Sequence, residues 1–456
     1  MPRSPATYHT LRLIGVALLA AAASVAAAAP AVLVAVGEVT PTSAVLWMRG
    51  AGAGSVTIAY GPAGAPPAST VSVAVTAATD LTGQVKLAGL APGTRHAYRV
   101  QSHGATADGE FVTAPAPDAP TRVRFVWSGD LGGGKLCRPL EGGYKIFRAM
   151  AASRPDFFLF VGDTIYADHR CGGPDVVPGT DFVATTLRGY HTKHRYNRED
   201  PAAAAFYAST AVLPIWDDHE VRNDFSGRDE PLMPTGRQAF LDYWPIAPPA
   251  EEPGRLYRQF RWGRLLEVFI LDTRQYRSSN RDPDGPGKTM LGAAQRRWLV
   301  DGVTASSATW KVIVSSVPLS VPTGPPAAHD SWSNASIFGV PEDNTTGFAF
   351  ERDFILRAFR DRAVKNVVFL AADVHHAELI RHHPTPGFSF YEFIAGPLSA
   401  TQGRPRALDQ GLNPRSLFAR GGVNNFGEIT VEPNLLSVRI IDDDGGALFT
   451  HAMGPE

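Results

Sequence analysis

The chain has 456 residues, enough for two or more domains with a substantial core, and 44% of them are hydrophobic and 19% charged. That balance excludes a disordered or fibrous polymer. The formal net charge of −1, with no dense Lys/Arg run, excludes the electrostatic footprint of a nucleic-acid binder and gives no pull toward anionic membranes.

The opening MPRSPATYHTLR carries positive charge and no acid, and LIGVALLAAAASVAAAA follows it with Ala-x-Ala options around Ala27 and Ala29. This layout predicts an export signal over residues 1–29, since the apolar run is short for a bilayer span. Arg3 and Arg12 are not adjacent, so there is no twin-arginine signature. No later segment is apolar enough to cross a bilayer, so a secreted or periplasmic product without a transmembrane span is expected.

Residues 31–115 read as short runs split by Gly, Pro, Thr and Ser, among them SAVLWMRG, SVTIAYG and TVSVAVTA. Short alternating strands at this rhythm predict a β-sandwich. LAGLAPGTRHAYRV resembles the L-x-x-L-x-P-x-T-x-Y-x-Y stretch of fibronectin type III-like domains. His96 stands where the first aromatic often is, Tyr98 is the expected buried ring, and Trp47 is its expected core partner. Nothing here offers a catalytic constellation, so a structural or adhesive role is expected. TAPAPDAPTR, residues 113–122, is a linker unlike a strand.

From 122 to 452 the pattern changes. VRFVWSGD, DFFLFVGD, TAVLPIWDDHE, LLEVFILDTRQYR, ATWKVIVSSVPLS and VKNVVFLAADVHH read as buried strands. Helical pieces such as GYKIFRAMAAS, LGAAQRRWLVDGV and RDFILRAFRDR separate them. Strands alternating with helices predict an α/β layered domain. EFIAGPLSA, EITVEP, LSVRIIDDDG and ALFTHAMG look like strands closing a second sheet, with Asp442 to Asp444 in a hairpin turn. Cys137 and Cys171 each lie shortly after a strand motif. In an exported protein such a pair most simply forms a disulfide, with free thiols or metal ligation as the alternatives.

Four of these strands end in comparable chemistry. They deliver Asp130; Asp163 with Tyr166; Asp217, Asp218, His219 and Glu220 with Asn223; and Asp373 with His375 and His376. Open α/β sheets bind ligands at the carboxyl ends of their strands, so these groups are expected to converge. Crowded carboxylates repel and resist ionisation, and cations are the usual remedy. A binuclear centre is therefore expected, with Asp163 bridging, Asp130 and Tyr166 on one ion, and Asp218 on the other. Asp373 and His375 serve one ion each or share one. His219 is the expected proton donor. Such a centre suits phosphoester hydrolysis: a metal-bound water becomes hydroxide near neutral pH, and the second ion receives a phosphoryl oxygen.

GDTIYAD, WDDHE, LDTRQYR, WKVIVSSVPL and NVVFLAADVHH, in this order, resemble the alkaline phosphatase D (PhoD-like) family of the calcineurin-like metallophosphatases. The resemblance covers roughly residues 31 to 450. It implies a layered domain of two sheets flanked by helices behind a fibronectin-like sandwich. It also implies phosphomonoesterase or phosphodiesterase activity, with a tyrosinate-bound ferric ion and calcium, manganese or zinc being alternatives. Asp130 stands where that family usually has a cysteine ligand, and with GDTIYAD this resembles purple acid phosphatases. Those use GNHE, His-x-Pro and GHxH, whereas this chain has DDHE, Ser316-Val317-Pro318 and ADVH. Tyr166 favours a ferric ion, because a phenolate needs a strongly acidic metal.

Arg222, Arg274 and Arg277 are the candidates for clamping a phosphate, with an ion pair to a nearby acid such as Asp272 as the alternative. The expected partner is a small phosphoester, either a monoester or a lipid or cell-wall phosphodiester. Loops at 172–195 and 278–292 are expected to set the choice. An adhesin resting on the sandwich alone is the rival from another class.

Overall fold

The structure is a computed structural model describing residues 1–2, 31–133, 137–342 and 345–456. Apart from its first two residues, the predicted export segment lies outside the described residues. Seven strands come first: β1 (Leu33–Gly37), β2 (Ser43–Arg49), β3 (Gly54–Pro62), β4 (Ser69–Val75), β5 (Thr82–Ala88), β6 (Arg95–Ser102) and β7 (Ala105–Val112). They form two antiparallel sheets, ordered β1-β2-β5 and β4-β3-β6-β7. Along β6, His96, Tyr98, Val100 and Ser102 are buried and their neighbours are not, the period-two pattern of a strand with one wet face.

The remaining elements are β8 (Val123–Ser128), α1 (Ile146–Ala152), β9 (Phe157–Val161), α2 (Leu187–Arg198), α3 (Pro201–Ser209), β10 (Ala211–Ile215), α4 (Met233–Tyr243), β11 (Arg258–Trp262), β12 (Leu266–Ile270), α5 (Gly292–Ala305), β13 (Trp310–Val314), α6 (Ala349–Asp361), β14 (Val367–Ala371), β15 (Ala377–Thr385), β16 (Phe388–Ile394), β17 (Pro414–Arg420), β18 (Asn425–Glu432), β19 (Leu435–Asp442) and β20 (Ala447–Met453). They build a six-stranded sheet, β10-β9-β8-β18-β19-β20, and a seven-stranded sheet, β11-β12-β13-β14-β16-β15-β17. Strands β8, β9 and β10 run parallel, as do β12, β13, β14 and β16. Strands β9, β10, β13 and β14 are buried at every position, which is why they read as unbroken apolar runs.

The C-terminal strands are placed differently from expectation. β18, β19 and β20 extend the first sheet, because β18 pairs antiparallel with β8. Gly427 allows this: a Cβ there would sit 2.0 Å from the Trp127 ring, which lies across it. Trp47 also departs from expectation. It is buried, but its indole Nε1 donates to the Asp242 carbonyl at 2.7 Å and its ring lies 5.7 Å from Tyr243 of α4. Tyr98 likewise donates to the Ala208 carbonyl at 2.9 Å. These rings close the sandwich against the neighbouring layer, and one apolar cluster runs from Leu46 and Trp47 through Trp244 to Trp127 and Phe158. Among the described residues no helix is long and apolar enough to cross a membrane.

Candidate metal centre

Strands β8, β9, β10 and β14 each deliver an aspartate two residues after their last paired position: Asp130, Asp163, Asp217 and Asp373. Asp130, Asp163 and Asp373 have φ of 64°, 50° and 68°, in the left-handed region. Aspartate tolerates that region better than most residues, and each such position still costs of order 1 kcal/mol. Three strand exits thus use one strained turn to aim a carboxylate over the sheet edge.

Ligand atoms of Asp130, Asp163 and His375 lie within 4.8 Å of one another, and so do those of Asp163, Asp218 and His219. Asp163 belongs to both groups, the position a bridging ligand needs. The Tyr166 hydroxyl is 3.1 Å from His375 Nε2, and Gly133 lies against the Tyr166 ring so closely that a Cβ would meet it at 2.3 Å. Asp373 is half-buried nearby but falls in neither group. Two further groups are Asp168, His169 and His219, and Asp218, Asp224 and Asp330.

The electrostatics of this crevice are unbalanced. Burial, then the Asp217 charge, pushes Asp130 well above the usual carboxylate range. Burial and Asp218 do the same to Asp163, and burial and Asp217 to Asp373. Burial and Asp163 push the Tyr166 phenol well up. One oxygen each of Asp130, Asp217 and Asp373 is buried without a hydrogen-bond partner. Buried anions that repel one another and lack donors fit cations, and the donor set of carboxylate, imidazole and phenol fits hard or borderline ones.

His219 sits over the crevice, its ring 4.1 Å from that of Tyr166. Its main-chain N–H donates to Asp163 at 3.2 Å and its Nδ1 to Asp168 at 2.7 Å. Burial opposes its charge, but Asp218 and Asp168 outweigh that and raise it to about 9. Asp168 also accepts from the Asn223 main-chain N–H at 2.8 Å, while Asn223 itself is exposed. Glu220 accepts from Thr164 and Asp217, locking two strand exits together. Cys137 and Cys171 form a disulfide with a Cα–Cα distance of 5.8 Å. His376 is fully buried against Val374 and Glu378.

Two of the three arginines, Arg274 and Arg277, are placed differently from a substrate clamp. Arg274 is 0% exposed; its Nη atoms grip both Asp330 oxygens at 2.7 Å and its Nε donates to Asp217 at 2.6 Å. Its guanidinium is a buried counter-ion, and the acid beside it in sequence, Asp272, accepts from the Trp216 and Gln275 side chains and from the Arg274 main-chain N–H. Arg277 also donates to Asp330, at 2.8 Å. Against its burial, Arg274 and Arg277 hold Asp330 well below the usual range. Arg222 is 59% exposed and paired with Glu230. Asp168 lies inside GDTIYAD, yet its role depends on His219 arriving from another strand. Asp330 follows no strand and has no signal in the sequence.

The family model for PhoD-like phosphatases matches residues 132–433. The chain belongs to the PhoD-like phosphatase family. Alkaline phosphatase D of Bacillus subtilis (strain 168) is 27% identical over 329 residues, which are 64% of this chain and 52% of that protein. The PhoD-like chain thus spans about half the length of that curated relative. A solved structure of PhoD superposes with a TM-score of 0.75 at 21% identity, covering 93% of this chain and 90% of the other. A purple acid phosphatase isolated from yellow lupin (Lupinus luteus) seeds gives 0.63 at 12% identity, covering 94% and 74%. Both solved structures share the fold of this PhoD-like chain.

Proposed function

We propose that the protein is an exported, metal-dependent phosphoesterase of the alkaline phosphatase D type, hydrolysing phosphate mono- or diesters. The observation that carries this is Asp163, shared by two groups of ligand atoms amid buried carboxylate oxygens that lack partners. In this reading Asp130, Tyr166, His375 and Asp163 hold a ferric ion, and Asp163, Asp218, Asn223 and Asp373 hold calcium. Bound there, the two cations acidify a water and draw charge from the phosphoryl oxygens. The two-domain division at 31–115 and 122–452, with a fibronectin type III-like first domain, belongs to the same proposal; the β1-β2-β5 and β4-β3-β6-β7 order supports it.

The chain's own residues do the rest. Asp168 accepts a hydrogen bond from Nδ1 of His219, which holds the ring and leaves its Nε2–H to donate to the departing ester oxygen. Stacking on Tyr166 fixes the plane of that imidazole. Arg222 lies at the exposed edge, where its guanidinium can reach a substrate phosphate while it stays paired with the buried Glu230. Elemental analysis of the purified protein tests this, with parallel assays on a phosphomonoester and a phosphodiester, with and without added calcium. Bound iron and calcium-dependent hydrolysis are expected. No metal bound and neither ester cleaved under any metal supplied would overturn it.

A further inference from the structure

Helix α2 carries two polar stripes at helical spacing. Tyr190, Lys193 and Asn197 recur at intervals of three and four, and His191, Arg195 and Arg198 at four and three. All but the half-buried Arg195 are buried. The loop expected to face substrate between 172 and 195 is, over its last part, this helix.

The first stripe holds the loops that carry the candidate ligands. Asn197 Nδ2 donates to the carbonyls of Leu131 at 3.3 Å and Thr164 at 3.0 Å, the residues that follow Asp130 and Asp163. The Tyr144 hydroxyl donates to Asn197 Oδ1 at 2.8 Å and so fixes which way the amide points. Lys193 Nζ donates to the carbonyls of His169, at 2.5 Å, and of Thr180. The Tyr190 hydroxyl donates to the Val221 carbonyl at 3.2 Å, two residues past His219. Every bond that the stripe itself donates goes to main chain. The stripe therefore sets where three strand exits lie without touching a ligand atom.

The second stripe grips the N-terminal sandwich and α4. Arg195 donates to both oxygens of Asp80, at 2.9 and 2.7 Å, just before β5. Asp80 also accepts from Tyr243 and Arg49. The Arg198 guanidinium lies 4.3 Å from the Trp47 ring and 4.6 and 4.7 Å from those of Tyr207 and Trp244. His191 meets Asp242 at 2.8 Å, and the Asp242 carbonyl receives the Trp47 indole.

We infer that α2 is a positioning element through which the N-terminal sandwich fixes the spacing of the metal-site loops, with Asn197 and Lys193 as positioning residues. The sandwich is then a working part of the centre and not an appended adhesive module. The inference rests on the phosphoesterase reading only for its turnover arm; its metal-binding arm stands apart from it.

The test compares Asn197→Ala, Asp80→Asn and the double variant in the full chain. Each is stripped with chelator, titrated calorimetrically with Mn²⁺ and with Ca²⁺, melted by circular dichroism and assayed for kcat and KM. Asn197→Ala is expected to weaken metal binding by about 10–100-fold, with a similar fall in kcat and little change in KM. Asp80→Asn, remote in the sandwich, is expected to weaken it by about threefold. The double variant should lose less than the product of the two, because both cut one chain of contacts. Unchanged metal affinity in folded Asn197→Ala, or an Asp80→Asn variant that only melts earlier, would overturn the inference. Should Asn197→Ala not fold, Tyr144→Phe and Lys193→Gln carry the same readouts. Weakened metal binding in a protein that cleaves no ester would sink the phosphoesterase reading and leave the positioning role standing.

Discussion

The crevice at the strand exits and the seam between the sandwich and α2 bury the same residue types with opposite electrostatic results. In the crevice, burial and neighbouring carboxylates push Asp130, Asp163 and Asp373 upward, and three carboxylate oxygens lack a donor. In the seam, burial of Asp80 is outweighed by Tyr243, Arg49 and Arg195, which pull it downward. A charge whose partners are present holds the structure together, and a charge whose partners are missing marks where a ligand belongs.

That contrast is sharpest at Asp163. Asp163→Asn is expected to lower kcat by at least about a thousandfold, since both groups of ligands lose their shared member. The same change removes a buried, repelled charge, so the chelated variant should unfold at no lower temperature than chelated wild type. Activity near wild type would end the bridging role, and a large loss of melting temperature would place Asp163 with the structural charges. Arg274 lies between the two regimes, inside the crevice wall yet fully paired. Arg274→Met strands Asp217 in the interior, leaves Asp330 with Arg277 as its remaining cation, and should cost about 3–5 kcal/mol in urea unfolding. A stable variant with only a raised KM would restore Arg274 as a phosphate clamp.

Asp168→Asn tests whether the pairing with His219 is structural or catalytic. It should lower kcat by about 10–100-fold while metal content and melting temperature hold, because the main-chain donor from Asn223 still has an acceptor. Loss of metal instead would make Asp168 a ligand, with His169 and His219.

The legible part of this arrangement was whatever the strand period controls. An apolar run ending in Gly-Asp announces Asp130 and Asp163, and the alternation of strands with helices announces the layered sheets. What the sequence hid depends on approach from a distance. Asp330 reaches Arg274 across 56 residues from a loop without periodicity, and nothing local marks either as the other's partner. The stripes of α2 lie partly in a stretch that reads as a rim loop, and the partners of the first stripe are carbonyls, which leave no trace in residue identity. Trp47 reads as sandwich core because burial in a seam and burial in a core leave the same apolar residue.

The smallest expected effect separates the two regions by the sign of their pH response. Asp80 titrates below its ordinary 3.8 when folded, so between the two values the unfolded chain binds more protons. Its stabilisation is complete above about pH 4 and disappears as pH falls through the folded value; it amounts to no more than about 1 kcal/mol, because Asp80 keeps some contact with water. The crevice carboxylates titrate above 3.8 when folded, so there the folded chain binds more protons. Chelated protein should therefore lose stability as pH rises from about 4 through those raised values. Urea unfolding of wild type and Asp80→Asn between pH 3 and 6, and of chelated and metal-loaded wild type between pH 4 and 8, reads both slopes. The Asp80→Asn deficit should shrink toward pH 3, and the gap between loaded and chelated protein should widen toward pH 8. A chelated protein whose stability climbs with pH would mean that the crevice acids already have partners within the chain, and the distinction between the two regions would collapse.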